Sequence, residues 1–224
     1  RHAPSCRAVR RKRGSSALAI VGKTGAGKTT LVNLLNDRRG IDHATDSSAL
    51  GPLYRENPPQ LALGDTIARV KPGDEVVMYG RVLDARGQPI ADAEVDVWLT
   101  DADGLYDLQA HGPEVVDLRA RFRTDAAGRY WFRSTRPRCY SIPMGGPVGD
   151  MVRATRQHGM RPAHVHYWVR AAGYRDLITA LYFKDDDYLT TDAAFGVVSA
   201  LVVSVLPPSP DSPAPALPRV PYDF

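Results

Sequence analysis

The stretch AEVDVWL, residues 93–99, decides the predicted fold. Apolar and acidic side chains alternate along it, and a period of two is typical of a strand with one buried face. Similar short runs occur at residues 75–83, 119–124, 129–134, 164–170, 177–183 and 196–205. Turn sequences that end in glycine, DARG at 84–87 and DAAG at 125–128, separate some of these runs. The pattern predicts an all-β fold, an antiparallel β-sandwich.

Length and composition favour one substantial domain with an appendage. The chain has 224 residues, of which 43% are hydrophobic, and that is enough to bury one core. We expect residues 44–224 to form the sandwich domain. Residues 1–43 are expected to form a basic tail followed by a short strand–loop–helix segment. A proline-rich stretch at 207–221 is expected to be a loose, polyproline-like tail.

The charge and hydropathy patterns limit which kinds of partner the chain is expected to bind. The net charge of +4 comes from the N-terminal stretch, because ten of the 29 basic residues and only one acidic residue, Asp37, lie within the first 40 positions. We interpret that basic run as a solvated tail and expect no nucleic-acid partner. No apolar run approaches the roughly 18 residues of a membrane helix, so no membrane partner is expected. The two cysteines, Cys6 and Cys139, fit a reducing compartment, and we expect a cytoplasmic protein.

Two histidines spaced two residues apart suggest a metal site. The segment HVH at residues 164–166 lies in a predicted strand, where residues i and i+2 point to the same face, so both imidazoles can meet one cation. The spacing alone leaves open that one histidine is buried and the other lies at the surface. A tyrosine in an irregular segment is ordinarily a packed ring with a hydrogen-bonded hydroxyl, and this applies to Tyr106 and Tyr140. His158 leaves a three-histidine site open as a rival.

Several separate motifs occur in a fixed order along the chain. They are DVW (96–98), DADGLYD (101–107), FRTDAAGRYWFR (122–133), GPVGDMVRAT (146–155) and RPAHVH (161–166). Together they resemble the intradiol ring-cleavage dioxygenases, above all the hydroxyquinol and catechol 1,2-dioxygenases. The similarity begins near Thr45, includes LGPLY at 50–54, and extends to about Val205.

The resemblance implies an activity and a cofactor. The family uses Fe(III) and O2 to cleave a catechol-type ring between its two hydroxyl-bearing carbons. The product would be a ring-opened dicarboxylic acid, maleylacetate from hydroxyquinol or cis,cis-muconate from catechol. The expected partners are therefore a small aromatic diol or triol and O2.

The resemblance also implies which residues form the site. The iron ligands would be Tyr106, Tyr140, His164 and His166, and such a set suits ferric iron because phenolate oxygen is a hard anionic donor. Tyr140 would be the ligand released when substrate binds. Arg161 would lie near the bound ring, where a guanidinium can stabilise developing negative charge. Tyr140 and Arg161 are therefore the residues expected to take part in catalysis.

The implied substrate pocket includes one departure from the family. Its substrate-binding residues would be Leu53, Met78, Tyr79 and Gly80, together with Arg161. Ala180 stands where the family has a polar Gln or His near the substrate, and a methyl group cannot supply that hydrogen bond. The helical segment that the family uses for dimerisation also has no counterpart here, so the expectation of a homodimer is weakened.

In place of that helical segment stands GKTGAGKT at residues 22–29, which matches the phosphate-binding pattern G-x-x-x-x-G-K-[ST]. Residues 17–35 resemble the ATP-binding-cassette transporter ATPases. In such a loop Gly22 and Gly27 belong to the backbone cradle, Lys28 contacts phosphate and Thr29 reaches Mg2+. No apolar strand ending in a magnesium-binding Asp accompanies the loop, so we expect no nucleotide cofactor.

Three alternatives to a catechol or hydroxyquinol enzyme stay open at this point. Within the same class, the substrate could be a chlorocatechol. From other classes, the chain could be a catalytically impaired sandwich domain that serves only in binding, or a nucleotide-binding protein that uses the phosphate loop.

Overall fold

The structure is a computed structural model that describes residues 44–70 and 74–224. The strands are β1 (Glu75–Arg81), β2 (Glu94–Leu99), β3 (Arg119–Arg123), β4 (Arg129–Thr135), β5 (Tyr140–Ser141), β6 (Met160–Arg161), β7 (His164–Arg170), β8 (Leu177–Phe183), β9 (Val202–Val203) and β10 (Arg219–Pro221). The helices are α1 (Asp107–His111) and α2 (Gly146–Ala154), and Ser199–Leu201 forms one 3-10 turn. Within these ranges, no helix has the length and apolar character needed to cross a membrane. The phosphate-loop residues Gly22, Gly27, Lys28 and Thr29 lie outside the described residues.

Two main sheets form the body of the domain. The larger has the order β3-β2-β7-β8-β9 and the smaller the order β10-β1-β4, while β5 and β6 form a separate two-stranded pair. Aromatic side chains pack between the sheets, where Phe122 of β3 stacks on Phe132 of β4 with their centroids 5.2 Å apart. Most neighbouring strands are antiparallel, so the predicted all-β sandwich is confirmed.

The alternation in β2 and β7 decides which face carries the candidate site. Val95 and Val97 of β2 belong to the hydrophobic core, whereas Trp98 points to the opposite face of the larger sheet. The register of β2 and β7 places Trp98 directly opposite His166. Because side chains two residues apart share a face, His164 and His166 both lie on the outer face, away from the core between the sheets.

Residues 44–60 cover part of this outer face. The Tyr54 ring meets Trp98 and Trp168 edge-on, with centroids 5.0 and 5.2 Å apart. Its hydroxyl donates to Asp96 Oδ2 at 2.8 Å. Asp96 is fully buried beneath this segment. This part of the outer face is therefore shielded from solvent even though it is not part of the sandwich core.

The prediction of a loose proline-rich tail is wrong at its C-terminal end. Residues Arg219–Pro221 form β10, which pairs in parallel with β1. The chain then continues along β1, where the Tyr222 amide donates to the Tyr79 carbonyl at 2.9 Å. The Phe224 ring packs 4.8 Å from the Tyr167 ring. A proline is tolerated here because β10 is an edge strand, where a missing N–H donor costs little.

Candidate metal centre and substrate site

Four side chains meet at one end of the outer face. His164 Nε2 lies 3.0 Å from His166 Nε2, and His166 Nε2 lies 3.1 Å from Tyr106 Oη. The ring of Tyr140 stands 5.5 Å from that of Tyr106 and 5.6 Å from that of His164. Tyr106 and both histidines are buried, and Tyr140 is half-buried. The structure thus brings together all four side chains that the sequence predicts as iron ligands.

The two imidazoles are held in different ways. His164 Nδ1 lies 2.7 Å from the Pro162 carbonyl oxygen. Because a carbonyl only accepts, Nδ1 carries the proton and Nε2 faces the cluster as a bare lone pair. The His166 ring instead stacks on Trp98, with centroids 4.8 Å apart and planes 5° from parallel. His166 Nδ1 is buried with no hydrogen-bond partner among the described residues. One ligand candidate is therefore oriented by a hydrogen bond and the other by stacking.

Tyr106 is positioned by its neighbour in the chain. It immediately precedes α1, and its backbone N–H donates to Gln109 Oε1 at 3.1 Å. The next residue, Asp107, has a fully buried carboxylate that accepts from Arg119 Nε at 2.7 Å and from Arg55 Nη1 at 3.0 Å. These contacts fix the start of α1 against β3 and against residues 53–55. These contacts anchor the backbone on both sides of Tyr106 and so position its phenol beside His166.

Tyr140 reaches the cluster through a close approach of two backbone segments. Gly104 has φ +78°, and a Cβ there would lie 2.5 Å from the Cys139 carbonyl oxygen. Glycine therefore permits both the left-handed backbone and the contact. Tyr140 also starts β5, which pairs with β6 so that Tyr140 stands opposite Arg161. The two segments together bring Tyr140 beside Tyr106 on one side and Arg161 on the other.

Burial sets the protonation states of the cluster. The pKa of His164 falls to about 3, first because the ring is buried and then because Arg161 is close. Burial, and then the neighbouring His164, holds the pKa of His166 well below its usual value. Both imidazoles are thus neutral at pH 7, as metal ligation requires. Burial, and then Tyr140, raises the pKa of Tyr106 well above its usual value.

Arg161 lies beside the cluster, and an ion pair with Asp192 fixes its orientation. Its Nε and Nη2 atoms donate to the Asp192 carboxylate at 3.0 and 3.2 Å. Its Nη1 atom lies 3.4 Å from Tyr140 Oη and 3.3 Å from His164 Nε2. Nη2 also donates to Tyr182 Oη at 3.3 Å. The guanidinium therefore directs Nη1 toward the cluster, while the buried Asp192 carboxylate binds its Nε and Nη2 atoms.

Several residues of this site were not singled out by the sequence analysis. Asp107 is the last residue of the motif DADGLYD and directly follows Tyr106. Its position next to a predicted iron ligand could have indicated a role in the site. Tyr182 and Asp192 lie in β8 and the loop after it, with no local pattern to mark them. Their contacts with Arg161 arise only because β8 pairs with β7 in the folded sheet.

The predicted substrate residues divide into two groups. Leu53 lies near the site, because its carbonyl accepts from Arg119 Nη1 at 3.2 Å and its neighbour Tyr54 packs on Trp98. Met78, Tyr79 and Gly80 belong to β1 of the other sheet.

The structure corrects the prediction for these three residues of β1. Met78 is in the sandwich core, 3.7 Å from the Tyr167 hydroxyl, and so on the opposite side of the larger sheet from His166. Tyr79 Oη accepts from Arg219 Nη1 at 3.3 Å. Gly80 lies against the Tyr222 carbonyl, which a Cβ would overlap. The sequence run is a strand, but its side chains serve the core and the C-terminal segment.

The three-histidine rival is not supported by the geometry. His158 is exposed, its Nδ1 accepts from the Met160 amide at 3.1 Å, and its Nε2 lies 3.0 Å from Thr191 Oγ1. In residues 44–70 and 74–224, no three His, Cys, Asp or Glu side chains form a group that could hold a metal ion. Any metal at the cluster would therefore be held with the help of the tyrosines.

The donor set suits ferric iron on chemical grounds. Two neutral imidazole nitrogens and two phenol oxygens are hard or borderline donors, and phenolates match a highly charged cation. A buried Tyr106 stays protonated by itself, so a phenolate at this position needs a cation to offset the cost of burial. His164 already presents its lone pair to the cluster. These residues fit the metal that the resemblance implies.

Several known proteins are similar to this chain in sequence. A family model described as Dioxygenase matches residues 50–223. Hydroxyquinol 1,2-dioxygenase of Rhizobium sp. (strain MTP-10005) is 40% identical over 177 residues, which are 79% of this chain and 60% of that protein. 6-chlorohydroxyquinol 1,2-dioxygenase of Cupriavidus pinatubonensis (strain JMP 134 / LMG 1197) is 36% identical over 203 residues, 85% of this chain and 74% of that protein.

Solved structures show the same relationship. Hydroxyquinol 1,2-dioxygenase from Pseudomonas putida DLL-E4 matches with a TM-score of 0.80 at 38% identity, covering 87% of this chain and 70% of that chain. Catechol 1,2-dioxygenase from Pseudomonas arvilla C-1 matches with a TM-score of 0.76 at 31% identity, covering 87% of this chain and 67% of that chain. The chain belongs to the dioxygenase family, in the branch of the intradiol ring-cleavage enzymes. It spans 60% of the length of the Rhizobium relative.

Proposed function

We propose that this chain is an Fe(III)-dependent intradiol dioxygenase that cleaves a catechol-type ring with O2, with hydroxyquinol or catechol as its substrate. The observation that carries the proposal is the buried cluster of Tyr106, Tyr140, His164 and His166 on the outer face of the larger sheet. These four residues would hold the iron. When bound, ferric iron would supply the Lewis acidity and electron-accepting capacity that allow an electron-rich ring to react with O2.

Arg161 supports the proposal through its charge and its direction. Burial alone would lower the pKa of Arg161, but the hydrogen bonds that it donates to Asp192 outweigh burial and raise that pKa, so the guanidinium is always charged. Its Nη1 atom points at Tyr140 Oη and His164 Nε2. A fixed cationic donor beside the cluster can stabilise negative charge that develops on a substrate oxygen. This is the role we assign to Arg161.

Tyr140 is the proposed ligand that substrate releases. Among the four cluster residues it alone is half-buried. It stands on the short β5–β6 pair, whereas His164 and His166 stand within the seven-residue strand β7. A released Tyr140 phenolate would lie next to Arg161 Nη1 and could take up a proton from a substrate hydroxyl at its Oη atom.

Residues 53–55 would limit the access of water to the bound ring. Arg55 Nη1 donates to the Val115 carbonyl at 2.9 Å, and the Leu53 carbonyl accepts from Arg119. Both contacts tie this segment to the region around α1 and β3. A covered site strengthens the electrostatic interactions within it, because water no longer screens them.

The visible spectrum tests the iron site. Loading the purified protein with Fe(III) should produce a coloured species, because phenolate-to-iron charge transfer absorbs visible light. Tyr106→Phe and Tyr140→Phe should each bleach or shift that band. Tyr130→Phe is the matched control, since Tyr130 is buried in the other sheet and its hydroxyl donates to the Tyr222 carbonyl at 2.8 Å. A colourless protein with stoichiometric bound iron would contradict the proposal.

A second candidate is a catalytically impaired domain that keeps the site but does not turn over. Ala180 favours it, because this residue is buried directly opposite His166 and offers only a methyl group where the resemblance leads us to expect a polar side chain. Oxygen uptake with hydroxyquinol and with catechol separates the candidates and ranks the substrates. An intact charge-transfer band without any uptake would favour the impaired domain.

A further inference from the structure

Tyr182 is a buried tyrosine next to the cluster that the proposed mechanism does not use. It lies in β8 directly opposite His164, and the two ring centroids are 5.3 Å apart. Only 2% of its surface is exposed. Ala180 lies two residues earlier on the same strand and therefore on the same face. Tyr182 thus stands on the face of β8 that looks toward the cluster.

The Tyr182 hydroxyl has an unused hydrogen-bond donor. Its oxygen accepts from Arg161 Nη2 at 3.3 Å. Arginine carries donors only, so the hydroxyl proton must go elsewhere. Within residues 44–70 and 74–224, Tyr182 Oη donates a hydrogen bond to no group. Buried donors are normally satisfied, so this one lacks an acceptor that a ligand could provide.

Arg161 links this hydroxyl to the proposed iron ligands. Nη1 and Nη2 of the same guanidinium reach Tyr140 Oη at 3.4 Å and Tyr182 Oη at 3.3 Å. Gly196 lies against both groups, because a Cβ there would stand 2.6 Å from Tyr182 Oη and 3.1 Å from Arg161 Nη2. A larger residue at position 196 would therefore press on both donors, and glycine avoids that collision.

We propose that Tyr182 Oη is a substrate-contacting hydrogen-bond donor, which together with Arg161 binds an oxygen atom of the aromatic diol or triol. It would supply from β8 the polar contact that the methyl group of Ala180 cannot make. This inference rests on the proposed function, since it needs a ring bound at the cluster. The predicted partner atom is a hydroxyl or deprotonated hydroxyl oxygen of the substrate, because only an acceptor satisfies the free O–H.

Binding of catechol without O2 tests the contact separately from turnover. The Fe(III)-loaded protein is titrated with catechol under anaerobic conditions, and the dissociation constant is read from the change in the charge-transfer band. Tyr182→Phe removes one oxygen atom and should weaken catechol binding about 3- to 10-fold, the range for one hydrogen bond. The band before catechol is added should stay as in the unaltered protein, because Tyr182 is not among the proposed ligands.

Tyr167→Phe is the matched control. Tyr167 is a buried tyrosine of the neighbouring strand β7, but its hydroxyl faces the core. Among the described residues, that hydroxyl donates only to Met78 Sδ, at 3.7 Å. This variant should bind catechol as the unaltered protein does. If Tyr182→Phe also binds catechol unchanged while the band still responds to catechol, the Tyr182 inference is overturned and the proposed function stands. If the unaltered protein forms no band with Fe(III), the proposed function itself fails.

Discussion

At the residue scale, the proposed chemistry depends on the orientation of the Arg161 guanidinium. Arg161 and Asp192 meet through two parallel hydrogen bonds, and a planar fork held at two points cannot rotate freely. Asp192 is itself fixed, because its carboxylate accepts from the amides of Ala194 at 3.1 Å and Gly196 at 2.8 Å. The loop after β8 therefore sets the orientation of a side chain on β6. Asp192 is a positioning residue for Arg161.

Asp192→Asn should disturb the orientation of Arg161 without disturbing the binding of iron. The amide keeps the shape of the side chain but loses the charge and one of the acceptors that hold Arg161. We expect kcat to fall about 10- to 100-fold and the KM for catechol to rise, because Arg161 also helps to bind the diol. The Fe(III) charge-transfer band should not change. Steady-state oxygen uptake and the visible spectrum provide the measurement.

The control for this variant comes from the same loop. Asp186 accepts from the amides of Ala163 at 3.0 Å and Tyr188 at 2.9 Å and makes no contact with Arg161. Asp186→Asn should therefore leave kcat close to that of the unaltered protein. An equal loss of kcat in both variants would mean that loop folding, rather than the direction of Arg161, explains the effect.

At the same scale, the sequence predicted part of the site and missed the rest for a physical reason. The period of a strand places His164 and His166 on one face, and the structure has them so. The two tyrosines came only from the resemblance, since neither spacing nor composition distinguishes them from packed rings. Tyr182 and Asp192 were not predicted, because their contacts with Arg161 join segments that are distant in the sequence and no local pattern indicates them.

At the scale of elements, one ion-paired carboxylate joins three parts of the chain. Asp107 begins α1, Arg119 begins β3, and Arg55 comes from the segment that covers the outer face. The side chains of Asp107 and Arg119 are 0% and 3% exposed. A buried charge that loses its partner is costly. The position of Tyr106 thus depends on an ion pair rather than on packing of the short helix α1.

Asp107→Asn should destabilise the fold by about 3 kcal/mol, because Arg119 is left as a buried charge without its counter-ion. Asp150→Asn is the control, since its pair with Arg153 is solvent-exposed and such pairs contribute at most about 1 kcal/mol. Denaturant unfolding at pH 7 measures both. Equal free energies of unfolding for the two variants would contradict a stabilising role of the Asp107–Arg119 pair.

The same carboxylate should make stability depend on pH at the acid end. Burial alone would raise the pKa of Asp107, but its hydrogen bonds from Arg119 lower that pKa overall. A carboxyl whose pKa is lower in the folded state stabilises the fold above its unfolded pKa of about 3.9. That contribution is lost as pH falls through the folded value. Asp107→Asn should therefore flatten the fall in free energy of unfolding below about pH 4, as measured by denaturant titrations at several pH values.

The strands themselves were largely predictable, with one instructive exception. Alternating runs such as β2 and glycine-ended turns mark the sandwich locally. The proline-rich C-terminal stretch suggested a tail instead. Composition could not show that Arg219–Pro221 would find the free edge of β1, because that edge exists only once the smaller sheet has formed.

At the scale of the whole molecule, the sandwich supports the candidate site, which lies on the outer face of its larger sheet. The core between the sheets is apolar, and β7 presents its histidines away from it. Residues 44–60, the β5–β6 pair and the loop after β8 then enclose the cluster from several sides. This arrangement explains why the β1 residues Met78, Tyr79 and Gly80 cannot line the substrate site, although their run was correctly predicted as a strand.

The measurement that tests the central claim most directly is the product formed from catechol under 18O2. An intradiol dioxygenase breaks the bond between the two hydroxyl-bearing carbons and places both atoms of O2 in the product. The Fe(III)-loaded protein should therefore yield a ring-opened dicarboxylic acid that carries two 18O atoms by mass spectrometry. A ring-opened semialdehyde, a product with a single labelled oxygen, or recovery of intact catechol and of hydroxyquinol from the iron-loaded protein would contradict it.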